Sequence, residues 1–301
     1  MSALRALVKR DSRLFFKDKG MFFSSLITPL ILLILYATFL QNVYEDSFRG
    51  GMEAFGVAVD ESLLGGCVGG QRFSSLLAVC CVTVAFCSNL LMVLDKVTGA
   101  RRDLTISPVK SSTLALGYYI STMLSTLIVC VVAMGVSLLY VAQAGWYLTV
   151  TDVLLMLLDV FLLVMFGTAL SSIVNHFLST QGQMSAVGTI VSAGYGFLCG
   201  AYMPISQFSE GLQKVLGFLP GTYGTSLLRN HALRGVFAEM EHQGFPNEVV
   251  EGIRDSIDCN LYFFGDKVET GTMYLILGGT VAALIAVYVL INVVAGRKAR
   301  K

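Results

Sequence analysis

Residues 73–112, FSSLLAVCCVTVAFCSNLLMVLDKVTGARRDLTISPVKSS, decide how this chain is read. Residues 73–94 carry no charge, and at about 1.5 Å per residue they are long enough as a helix to cross a hydrocarbon core of about 30 Å. Immediately beyond, Asp95, Lys96, Arg101, Arg102, Asp103 and Lys110 crowd one short loop, so apolar and charged text meet at an edge. Lipid offers the backbone no hydrogen-bond partner, and such a run must therefore close its own bonds as a helix.

Working outward, five further apolar runs lie at 21–41, 113–142, 153–174, 184–203 and 271–295, and the sequence predicts an all-α integral membrane protein of six transmembrane helices. Pro29 predicts a kink in the first, which is too long for the core of a signal peptide and reads as a retained anchor. The run at 113–142 exceeds what a bilayer needs and should tilt or project. Composition agrees: 55% apolar and 14% charged residues leave too little polar surface to coat a water-soluble globule of 301 residues. A net charge of +1 gives nucleic acid no electrostatic handle.

Lys and Arg orient the chain. Arg5, Lys9, Arg10, Arg13, Lys17 and Lys19 precede the first run; Lys96, Arg101, Arg102 and Lys110 follow the second; Arg297, Lys298, Arg300 and Lys301 follow the last. These segments are predicted to be cytoplasmic, which puts both termini inside. The loop 43–72 and the segment 204–270 are acid-rich and fall outside, and the short loops around Trp146 and His176 follow by alternation. Five of the seven cysteines sit within apolar runs as packing residues; Cys67 and Cys259 both fall in outer segments, which leaves a disulfide between them open. There is no CxxC, HExxH or GxSxG, so neither a metal centre nor a catalytic nucleophile is predicted.

Residues 3–18 predict an amphipathic helix lying in the membrane surface, with Leu4, Leu7, Val8 and Phe15 on one face and Arg5, Lys9, Arg13 and Lys17 on the other. Asp11 breaks the apolar face and is available to a cytoplasmic partner. The loop from Asp95 to Ser112 predicts a short helix presented to the cytoplasm and ended at Ser107 by Pro108. Between Met203 and Gly235, Pro204, Gly211, Gly217, Pro220, Gly221 and Gly224 break the apolar text into pieces too short to span, which fits a re-entrant hairpin at the outer mouth, with Arg229, His231 and Arg234 at its end either meeting head groups or substrate or forming a solvated, interfacial cluster. After Pro246, Val249, Val250, Ile253 and Ile257 suggest a small amphipathic helix and LYFFGDKV a hairpin, together an external cap. Asp159 is a carboxylate within an apolar run and should face protein or a watery path; Asn89 and Tyr195 are weaker candidates for the same substrate path or dimer interface.

Three segments carry a family resemblance: RLFFKDKGMFFSSLITPL at 13–30, GARRDLTISPVKSSTLALGYYIS at 99–121 and FLCGAYMPISQFSEGLQKVLGFLPGTYGTSLLRNHALRG at 197–235. In order and spacing the chain resembles the ABC-2 type permeases, the membrane subunits of ATP-binding cassette exporters. The resemblance implies a homo- or heterodimer of permeases in the plasma membrane of a bacterial-type cell, each touching a cytoplasmic ATPase. Coupling to it would fall on residues 97–107, with Lys96, Arg101, Arg102, Asp103 and Leu104, and on Arg5 and Arg13 of the surface helix. No GxxxxGK followed by Ser or Thr occurs, so this chain is expected to bind no cofactor, with ATP and Mg held by the separate partner. The cargo stays unidentified among lipid-linked, amphipathic, drug-like, peptide and polysaccharide classes. An ion-coupled secondary transporter built on Asp159 is the alternative.

Overall fold

The six apolar runs are mostly helical in the computed structural model, which describes residues 2–54, 60–106 and 109–298, although 21–41 and 73–94 are each divided between successive helices and 184–203 leaves its helix after Leu198. Helix α1 (Ser2–Lys17) meets α2 (Lys19–Leu35) at a bend of 71°, where the Asp18 side chain caps α2 by accepting from the Met21 N–H at 3.0 Å. A π-helical turn, Tyr36–Leu40, leads into α3 (Gln41–Ala54). Next come α4 (Glu61–Asn89), α5 (Leu91–Val97), α6 (Ala100–Ile106) and α7 (Ser111–Ala144). Thr149 with Asp152 and Thr180 with Gln183 form capping boxes that start α8 (Val150–Phe177) and α9 (Gln181–Leu198). The segment 204–270 holds α10 (Glu210–Leu216), α11 (Pro220–His242) and α12 (Asn247–Ser256). An antiparallel pair follows, β1 (Leu261–Phe263) and β2 (Asp266–Val268), with Leu261 opposite Val268, and α13 (Thr270–Lys298) closes the described chain. The expected break at Ser107 and Pro108, and the basic Arg300 and Lys301, lie outside the described residues.

Four helical stretches are long and apolar enough to cross a membrane: Glu61–Val97, Ser111–Gln143, Val150–Phe177 and Thr270–Ala295. The bent pair Ala3–Lys17 and Lys19–Leu35 makes a fifth if it is one span. The described residues thus give four such stretches, or five, against six expected, and the shortfall has a local cause. The π turn cuts α2 to 17 residues, and in α9 Gln181, Gln183 and several glycines and serines dilute the apolar text.

The core is built around α4, which packs against α2, α7, α8 and α11. In a membrane, helices gain little from hiding apolar surface from lipid, so close approach of backbones decides the packing. A methyl group on Gly70 would run into Leu233 of α11, and one on Gly167 of α8 into the α4 backbone at Cys81 and Val82. Along α11, successive residues climb two neighbours at once. Gly224 meets Leu163, His231 meets Asp159 and Arg234 meets Asp152 on α8, while Arg229, Leu233 and Gly235's neighbour Val236 face Ser75, Gly70 and Gly66 on α4. The cap then runs back antiparallel along α11: the Arg254 guanidinium lies 4.8 Å over the Phe237 ring, Ile257 meets Arg229, and Phe263 meets Phe218. Cys67 and Cys259 both stand in the outer apolar cluster as free thiols, so the disulfide left open by sequence is not formed. Burial pushes the Cys259 thiol up to about 12.

Candidate functional site

Gly99, at φ +84°, turns the chain out of α5 and sets α6 at an angle that a side-chain-bearing residue would resist. No residue of α6 is buried. Arg102 and Asp103 are exposed, Arg101 and Leu104 are half-buried, and Ile106 is 76% exposed. Lys96 faces the other way. Its Nζ donates to the carbonyls of Asn175, His176 and Leu178 at 3.0, 2.5 and 2.8 Å, where a cation suits the negative end of α8. It therefore ties α5 to α8.

Helix α1 packs its apolar face against the chain's own helices, with Leu7 among Met92, Leu114 and Tyr118 and Phe15 buried in the main core, while Arg5 and Arg13 are exposed. Asp11 corrects the reading: it is buried and accepts from Arg10 at 2.7 Å, so no partner can reach it. Arg10 also donates twice to Asp95, at 2.8 and 2.9 Å, and the Tyr118 hydroxyl donates to Asp95 at 2.6 Å. Burial raises the Asp11 carboxyl to about 6 against the pull of Arg10. Arg10 sits one residue off the regular basic stripe, a signal legible only once Asp95 is placed opposite.

In the interior, Asp159 is fully buried and doubly held, by His231 Nδ1 at 2.6 Å and by the Tyr274 hydroxyl at 2.6 Å. It joins α8, α11 and α13. Asn89 donates to Ser171 and Ser172 at 3.0 and 2.9 Å and accepts from Thr122 at 3.4 Å, which joins α4, α8 and α7. The Tyr195 hydroxyl is buried beside Gly221 without a hydrogen-bond partner among the described residues.

The outer cations also differ from the expectation of free groups. Arg229, 0% exposed, donates to the carbonyls of Ile257 and Gly200 at 2.5 and 2.8 Å and to Ser75 at 3.4 Å. Asp258, 3.5 Å from it, accepts from the Ile205 and Ser206 N–H groups. Burial pushes Asp258 above the usual carboxylate range while Arg229 pulls it back. His231 is buried against Asp159, so it and Arg229 face protein, whereas Arg234 pairs with buried Asp152 at 2.5 Å while its own side chain stays exposed. Pro204 ends the turn after α9, and Pro220 occupies the first position of α11, where its missing N–H costs nothing. Gly221 admits the Tyr195 ring edge, which any Cβ would strike.

Between α2 and α9 lies a cleft of about 980 Å³, lined by Ser24, Ile27, Thr28 and Ile31 on one side and Met184, Gly188, Thr189 and Ser192 on the other. Tyr44, Tyr202 and Pro204 line it as well, toward the outer segment. Among the residues of α9, Gly196 is the one buried.

The chain matches the family model described as ABC-2 type transporter over residues 2–232. The match stops short of the cap and α13. No curated protein and no solved structure matches.

Proposed function

The chain belongs to the ABC-2 type transporter family, as a multi-pass plasma-membrane permease of an ATP-binding cassette exporter, and we propose that α6 and the exposed face of α1 receive the push of its ATPase. The observation that carries this is α6 itself, lifted off by Gly99, unburied throughout, and bearing Arg102, Asp103 and bare Ile106. Movement at α6 passes into α5, which Arg10 and Lys96 lock to α1 and α8 through Asp95 and the α8 carbonyls. A docked element that shifts α5 changes how α4 and α8 pack, and packed helices respond in discrete steps.

We read the spans as six. Helix α2 with its π turn has 22 residues and α9 has 18, or about 33 and 27 Å of rise. The 71° bend supports an α1 that lies in the membrane surface, and the basic N-terminal, 96–110 and C-terminal segments support a cytoplasmic side for them. The climb of α11 along α8 from Leu163 outward supports a re-entrant hairpin of α10 and α11 between the last two spans. A second permease, identical or related, would cover the bare faces of α9 and α2, where Phe23, Ile27, Ile31 and Ile34 are exposed, and cargo would leave through the cleft between them. Asp159 serves as an internal tie, and the ion-coupled alternative gives way to the family assignment.

The test is to tag the chain, extract it mildly, and ask whether a Walker-motif ATPase co-purifies. Alanine at Arg102, Asp103 and Ile106 together should abolish co-purification while leaving elution and helix content unchanged. Undiminished capture of the ATPase by that variant would sink the α6 assignment.

A further inference from the structure

On the opposite face of α2 from the cleft lies a second groove, of about 490 Å³, bounded by α2, α4 and α7. Its walls are almost wholly apolar, with Pro29 and Leu33 on α2, Leu76 on α4 and Val132 and Val136 on α7. At one end stands a cation. The Arg72 guanidinium lies 4.5 Å over the Tyr140 ring, and no carboxylate or hydrogen-bond acceptor among the described residues meets it. Glu61, the nearest acidic residue along α4, lies eleven residues away and pairs with Arg49 at 2.9 Å. A half-buried arginine beside apolar walls keeps N–H donors that ask for an anion, and guanidinium suits the oxygens of a phosphate.

We propose that this groove binds one anionic phospholipid, its phosphate on Arg72 and an acyl chain along α2, α4 and α7. Size agrees with that occupant. From Ile128 to Tyr140 the groove follows α7 for twelve residues, about 18 Å of rise, close to the roughly 15 Å of one leaflet. Arg72 stands where the charge-free stretch of α4 begins, which on the topology proposed above puts its end of the groove toward the aqueous boundary. A zwitterionic head group would bring a second cation against the unpaired arginine, whereas an anionic one leaves a matched pair. The leaflet, the outer one, rests on the topology proposed above; the lipid class rests on Arg72 alone. Pro29 lines the groove, where α2 lacks one backbone hydrogen bond, so the lipid supports α2 from behind at its weakest point while Ile27 and Ile31 face the cleft.

A single-tryptophan reporter tests this. Trp146→Phe with Tyr140→Trp keeps an aromatic face under Arg72, and the chain is placed in phosphatidylcholine nanodiscs doped with chain-brominated phosphatidylglycerol or, separately, chain-brominated phosphatidylcholine. Half-maximal quenching is expected at about a tenfold lower mole fraction of the anionic probe. Arg72→Gln should erase that preference, Arg72→Lys should retain part of it, and Val136→Phe, which fills the groove but spares the cation, should weaken quenching by both probes. Equal quenching by the two probes with Arg72 present, or a preference that survives Arg72→Gln in a normally eluting protein, would overturn the proposal.

Discussion

Helices α4 and α9 both contain glycines, and they use them in opposite ways. On α4, Gly66 and Gly70 are places where another element presses in, so that a methyl group would meet Tyr147 and Val236 at one and Leu233 at the other. On α9, Gly182, Gly188 and Gly194 face open space, with no atom within 4 Å of a built methyl. The small residues of α4 are explained by the fold of one chain. Gly196 of α9 is explained in the same way, by the Tyr202 ring, but Gly182, Gly188 and Gly194 are not, and in a membrane small residues on a bare helix face are how a second helix comes close. If the proposed pairing through α9 holds, substitutions can pull stability at α4 and partner contact at α9 apart.

The largest loss is expected at the staple between α4 and α11. Arg229→Ala removes the donor shared by Gly200, Ile257 and Ser75 and strands buried Asp258, a change of about 3–5 kcal/mol for one broken buried pair. Denaturant unfolding in mild detergent measures it. A loss below about 1 kcal/mol would mean that the cap is not held through this residue. Next in size is Gly70→Ala, where the added methyl must displace Leu233 against α4 at about 1–3 kcal/mol, read on the same curves.

The division between these helices was only half legible in the sequence. Apolar runs place both, because a charge-free stretch of that length has few other folds available, and Asp95 to Ile106 announces a presented loop by charge and by Gly99. What a run does not reveal is which neighbour it meets. Asp159 stood out as an isolated intramembrane carboxylate, but His231 and Tyr274, at separations of 72 and 115 residues, carry no local mark of pairing with it. Arg229 read as a free outer cation because its partners are mostly backbone carbonyls, which every sequence has. Lys96 likewise looked like a partner contact until the end of α8 came to rest on it.

A smaller effect than at Arg229 is expected where α1 is tied to α5 through Arg10 and Asp95. Asp11 titrates near pH 6 in the fold and near 3.9 when unfolded, so the folded chain holds the proton more tightly. Its contribution is full below about pH 4 and is lost as pH rises through 6, a change on the order of 3 kcal/mol. Asp11→Asn should flatten that dependence and raise stability at pH 7, as unfolding curves at several pH values would show. An unchanged slope in the variant would assign the pH dependence to another group.

The smallest effect on the single chain is the most telling for the comparison. Gly188→Leu places a large side chain where nothing stands within 4 Å of a methyl, so the unfolding free energy should move by less than about 0.5 kcal/mol, in contrast to Gly70. The same side chain projects from the α9 wall of the cleft, where a second permease would have to approach closely. Chemical cross-linking between permeases in native membranes should therefore fall while the folded population holds steady. If stability and cross-linking both stay at the starting level, α9 is bare for some reason other than pairing, and the second copy must be sought on α13 or α7. If stability falls with cross-linking, the helix leans on its own chain more than its open glycines suggest, and the contrast with α4 is one of degree.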